Sequence, residues 1–110
     1  MAKLNEEVNS LIKHIVMWKL KEFAEGKSKL ENANKIKMSL EDLQNKIDKV
    51  KLIEVGVNIN NSKQAYDVVL YSEFENLEDL NLYQNHPDHL KAGEFINKVK
   101  EERIVTDYEV

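Results

Sequence analysis

The chain has no cysteine, a single proline and only three glycines among its 110 residues. Without cysteine there is no disulfide, no thiol nucleophile and no Cys-type zinc site, and the composition suits a reducing cytoplasm. The glycines, Gly26, Gly56 and Gly93, stand alone, so no Gly-rich loop exists to cradle a phosphate. No nucleophilic serine motif is present. Long hydrophobic runs are also missing. The most apolar window, Leu11 to Leu20, is broken by Lys13, His14 and Lys19. No segment therefore reads as a membrane span or a signal peptide, and a cytoplasmic location is expected. A basic excess is absent too: a net charge of −4 argues against the positive face that nucleic-acid binders carry.

What is present describes a globular domain. Hydrophobic residues make up 42% of the chain and charged residues 33%, with both signs mixed. A single domain of this length buries roughly two-thirds of the surface its unfolded chain exposes. Residues 1–10 have little apolar content and read as an N-terminal extension, leaving residues 11–110 as the domain.

Leu11 to Lys21 alternates with the period of a strand: Ile12, His14, Val16, Trp18 and Leu20 on one face, Lys13, Ile15, Met17 and Lys19 on the other. Ser28 and Glu31 have capping-box spacing. A helix follows with one apolar stripe through Leu30, Ala33, Ile36, Leu40, Leu43, Ile47 and Val50. Lys51 to Ile59 alternates again, Asn60-Asn61-Ser62 is a turn cluster, and Ala65 to Phe74 is rich in β-formers. Two strands about a short polar turn predict a hairpin. Asn76 caps a second helix with Leu77, Leu80 and Tyr83 inward. A third helix is predicted from Pro87 to Glu101, and Arg103 to Val110 alternates as a last strand.

The most informative stretch is Tyr83-Gln84-Asn85-His86-Pro87-Asp88-His89. Proline lacks an N–H and biases the residue before it away from helical angles, so His86 reads as a cap and Pro87 as the first helical residue. Asp88 and His89 then fall in the opening turn, where the helix dipole favours a negative charge and opposes protonation of an imidazole.

The order βαββαβ predicts an α+β, ferredoxin-like fold, with helices on one face of a four-stranded antiparallel sheet. Ile15 and Met17 then point to the face without helices, where uncovered apolar surface costs roughly 25 cal/mol per Å². A second copy would cover it. The sequence thus predicts a homodimer whose two sheets close into a barrel.

Three motifs in this order resemble the stress-responsive dimeric α/β-barrel (Dabb) family: Ile12-Lys13-His14-Ile15-Val16-Met17-Trp18-Lys19-Leu20-Lys21, Tyr83 with His86-Pro87-Asp88-His89, and Ile104-Val105-Thr106-Asp107-Tyr108-Glu109. The resemblance spans residues 11–110 and implies a ferredoxin-like protomer paired through its sheet. It also implies site residues. The catalytic tyrosine and histidine of a plant polyketide cyclase in the family fall on Tyr83 and His89, and a pocket histidine falls on His14. That enzyme closes a linear polyketide by aldol chemistry. The lining that shapes its pocket is not recognisably reproduced here.

As chemistry, a neutral His89 could act as a general base, and the Tyr83 phenol could donate a hydrogen bond to a developing enolate. The competing reading has His89 bonded to a backbone carbonyl and Tyr83 packed in the core, both fixing the helix break. His14 is either a hydrogen-bonded core histidine or the orienting group of a shared cavity. Trp18 and His86 are the candidate ligand-binding residues, with core packing the alternative for Trp18 and capping for His86. His86, Asp88 and His89 diverge around one turn and lack a third ligand at a recognised spacing, so no metal is expected. No cofactor is implied.

Three functions remain in order of preference. The first is a homodimeric domain that holds a small apolar or carbonyl-bearing molecule or serves a structural role in stress. The second is a cofactor-independent cyclase or isomerase using His89, Tyr83 and His14. The last is a cofactor-independent monooxygenase.

Overall fold

The computed structural model describes residues 10–110. The extension expected over residues 1–10 lies, Ser10 apart, outside the described residues. The elements are β1 (Ile12–Leu20), β2 (Phe23–Ala24), β3 (Lys27–Ser28), α1 (Lys29–Lys46), β4 (Val50–Val57), β5 (Val68–Phe74), α2 (Leu77–Asn85), α3 (Pro87–Val99) and β6 (Lys100–Glu109). The main sheet has four antiparallel strands in the order β4-β5-β1-β6, the expected ferredoxin-like arrangement.

Strand β1 is central, and its alternation does the sorting. Ile12, His14, Val16, Trp18 and Leu20 are buried beneath the helices, while Lys13, Ile15, Met17 and Lys19 are only half-buried on the opposite face. On β6 the residues paired with that outer set are Tyr108, Thr106, Ile104 and Glu102. On β5 they are Glu73, Tyr71 and Val69. Among the described residues, no helix lies on this outer face.

Helix α1 opens on the predicted capping box: the Glu31 N–H donates to Ser28 Oγ at 3.2 Å and the Ser28 N–H donates to Glu31 Oε1 at 3.0 Å. Its stripe through Ala33, Ile36, Leu40 and Leu43 is buried, with Ile47 as the C-cap. Two residues leave the predicted stripe. Leu30 is 61% exposed, because the inner side of the first turn is given to the small β2–β3 hairpin. There Asn32 is fully buried and its amide donates to the Ala24 carbonyl at 3.0 Å. Val50 belongs to β4, since the helix ends at Lys46. The hairpin turns at Glu25 and Gly26, with φ of 53° and 75°. The second position takes the left-handed region without steric cost because glycine has no Cβ.

The β4–β5 connection is longer than the expected short turn. The strands stop at Val57 and start at Val68. Between them side-chain bonds replace the ladder: the Asn60 N–H donates to Asn58 Oδ1 at 2.7 Å and the Ser62 N–H to Asn60 Oδ1 at 2.9 Å. Asparagine thus offers the backbone an alternative to strand pairing, and Ile59, expected to end the alternating strand, lies beyond it and is 94% exposed. Helix α3 ends at Val99, not Glu101, because β6 begins at Lys100.

The helical layer covers β4, β5 and β1 but stops short of β6. Val105 lies on the helix-side face, opposite Val16, yet is exposed. A gap between β6 and α3 results, and the functional residues collect there.

Candidate functional site

The bend between α2 and α3 follows the sequence rule. His86 is the N-cap with extended backbone, Pro87 stands at the helix start, and the Asp88 N–H donates to His86 Nδ1 at 3.1 Å. This geometry folds α3 back so that His89, in its first turn, returns over Tyr83 at the end of α2.

Tyr83 and His89 pack as a tilted ring pair, their centroids 4.5 Å apart and their planes at 57°. His14 reaches the same cluster from β1, its ring 6.4 Å from that of Tyr83, and Phe74 of β5 closes it at 5.0 Å from Tyr83. The three residues expected to act together are therefore neighbours, brought in from β1, α2 and α3.

Hydrogen bonds fix the form of both imidazoles. A carbonyl oxygen only accepts, so His89 Nδ1 carries the proton that it donates to the Gln84 carbonyl at 3.0 Å. His14 Nδ1 faces Asp107 Oδ1 at 2.5 Å and donates to that carboxylate. Each ring then keeps Nε2 as its lone-pair atom when neutral. Burial lowers the pKa of His89 below its ordinary value, with smaller repulsions from His14, Arg103 and His86, against a raising effect from the Gln84 carbonyl. Near neutral pH His89 is thus an uncharged base. Burial has the opposite effect on Tyr83, pushing its phenol well above the usual range. Tyr83 remains a donor, yet its hydroxyl is buried without a hydrogen-bond partner among the described residues. A buried hydroxyl of this kind costs about 1–3 kcal/mol if left unmade.

Beside this cluster, between the sheet and α3, lies a cavity of about 510 Å³. That size falls within the roughly 300–1,000 Å³ of ordinary small-molecule sites. Its floor is buried and mostly apolar: His14, Val16, Trp18 and Leu70 from the sheet, Leu40 and Ile96 from the helices. His89 and Gly93 form part of the α3 wall. Tyr83 sits behind the two histidines and is not part of the wall. His86 also stays out of it, occupied in capping α3.

Pattern reading missed Asp107 and Arg103. Both share the inner face of β6, opposite His14 and Trp18 respectively. The signal was present in the alternation: once Ile104, Thr106 and Tyr108 face outward, Arg103 and Asp107 must face inward. No group of three or more His, Asp or Glu side chains among the described residues is arranged to hold a metal ion. No helix among them is long and apolar enough to cross a membrane.

Residues 12–110 match the model of the Stress responsive A/B Barrel Domain. The chain belongs to this family. A dimeric protein of ferredoxin-like fold from Bacteroides fragilis is 40% identical, with a TM-score of 0.82 over 91% of this chain and 96% of that one. The stress-response A/B barrel domain-containing protein DABB1 of Arabidopsis thaliana is 26% identical over 104 residues, covering 92% of this chain and 48% of DABB1. The chain thus spans about half the length of the curated relative it matches. A hydroxynitrile lyase from Passiflora edulis superposes with a TM-score of 0.75 over 91% of this chain and 93% of that one, at 18% identity, which concerns the fold alone. The A/B barrel assignment agrees with the sheet order and with an outer face that no helix of the described residues covers.

Proposed function

We propose that this A/B barrel domain is a cytoplasmic homodimer that holds a small apolar or carbonyl-bearing molecule between its sheet and α3. The observation that carries the reading is the cavity itself: a buried apolar floor with two imidazoles converging on it. Few polar groups over an apolar lining is the usual composition of a small-molecule site. The dimer is supported by the half-buried outer face of β1 and by the dimeric Bacteroides fragilis relative. A thermal-shift screen with apolar ketones, aldehydes and aryl carbonyl compounds tests the ligand reading, because a molecule that binds the native state raises its apparent stability. The comparison variant is Gly93→Leu. A Cβ built at Gly93 meets nothing within 4 Å, so a larger side chain has room on the cavity wall. Compounds that stabilise the wild type should fail on this variant; equal shifts on both would place binding elsewhere.

A second reading, an enzyme acting beside a carbonyl, is favoured by the His89 and His14 imidazoles on the cavity lining, each with Nδ1 already bonded to the protein. In this reading His89 Nε2 removes a proton from the carbon next to the carbonyl, and the C–H electron pair moves to give an enolate. His14, held by Asp107, orients the substrate, and Tyr83, off the cavity wall, supports the base through its ring contact with His89 rather than donating to the enolate as the sequence suggested. Loss of deuterium from that carbon in a bound compound is the assay. His89→Ala should abolish the exchange while the protein stays folded.

A further inference from the structure

The chain's positive charges are lysines except one. Its only arginine, Arg103, is on the cavity wall. The placement follows from register: Arg103 pairs across β1 with buried Trp18, so both side chains belong to the helix-side face. None of the ion pairs among the described residues uses Arg103. Its neighbour on the same face, Asp107, is already engaged by His14.

The cavity is also polarised. Trp18, Val16, Leu40, Leu70 and Ile96 on the floor are buried, whereas Arg103 from β6 and Glu94 and Asn97 from α3 are exposed at the mouth. A ligand matching this gradient has an apolar body and one polar end. Guanidinium presents a planar fork of N–H donors that suits a carboxylate bidentately, which a lysine cannot do. Glu94 disfavours a second negative group.

Resting on the ligand reading above, we propose that the cavity takes a small monocarboxylic acid. Its apolar ring or chain lies over Trp18, and its carboxylate is held at the mouth by Arg103. Arg103 is then the specificity-determining residue of the site, separating acids from neutral compounds of the same shape.

The test uses matched probes in NMR titrations of the full chain: phenylacetate against phenylacetamide, and hexanoate against hexanamide. Wild-type protein should bind each acid roughly tenfold more tightly than its amide, the size expected of a charge-assisted pair. Arg103→Gln should bring the ratio close to one by weakening the acid far more than the amide. Arg103→Lys, which keeps the charge without the fork, should fall between. Because Arg103 is exposed, these variants should fold, and their spectra report it directly. Equal binding of acid and amide to the wild type overturns the carboxylate assignment but keeps the ligand site. A preference for acids that survives in Arg103→Gln overturns the role of Arg103. No binding of any probe overturns the ligand reading, and the carboxylate proposal with it.

Discussion

Tyr83 and His89 belong to different helices yet pack as a tilted pair with ring centroids 4.5 Å apart, because the His86-Pro87 break turns α3 back over the end of α2. The bend buries a phenol whose hydroxyl has no partner among the described residues and an imidazole with one nitrogen committed to the backbone. The His89 bond satisfies a carbonyl in the last turn of α2 and Tyr83 packs in the core, so the pair also fixes the helix break.

The Tyr83 hydroxyl gives the first prediction. Tyr83→Phe removes an unsatisfied buried group and should leave stability unchanged or raise it by about 1 kcal/mol. Urea denaturation measures this. A loss of more than about 2 kcal/mol would indicate a structural partner for the hydroxyl.

The His89 ring gives a pH dependence. Its folded pKa lies below the ordinary 6.5, mainly through burial, so the unfolded chain binds its proton more readily. Stability linked to His89 is therefore full above pH 6.5 and is lost as pH falls toward and through the depressed folded value. His89→Gln should flatten that part of the profile relative to wild type between pH 8 and pH 5. Parallel profiles for the two proteins would remove His89 as the source.

The outer sheet face is tested at Met17, which pairs with Val69 and Ile104 on neighbouring strands. Met17→Asp would bury a charge in the proposed sheet-to-sheet contact and should convert the dimer to a monomer in light scattering. A dimer that persists would place the contact elsewhere.

At Gly93, inside α3, a Cβ meets no atom within 4 Å. Gly93→Leu should raise stability by roughly 0.5–1 kcal/mol through helix propensity. Thermal unfolding without ligand checks this, and a destabilised variant would mean that the wall at Gly93 has no spare room.

How much of this the sequence carried differs by element. The α1 cap at Ser28, the His86-Pro87 break and the facing of His14 are local matters of hydrogen bonding and period, and all were readable. The Asn58–Asp67 connection was less so, because its Asn side chains bond the backbone where a strand pattern would continue. Arg103 and Asp107 were harder to recognise as site residues for a different reason. Their partners Trp18 and His14 come from the opposite end of the chain, and only the β1–β6 register joins them. Polar residues on an alternating strand look like a wet face until the other face is known to be the outer one.

Trp18, the chain's only tryptophan, lies on the cavity floor, so its fluorescence reports the central claim without a label. Titrating the intact protein with a stabilising compound should change Trp18 emission saturably in wild type and leave it unchanged in Gly93→Leu. A compound that stabilises the protein without altering Trp18 emission, or that alters it equally in both proteins, would contradict a ligand site between the sheet and α3.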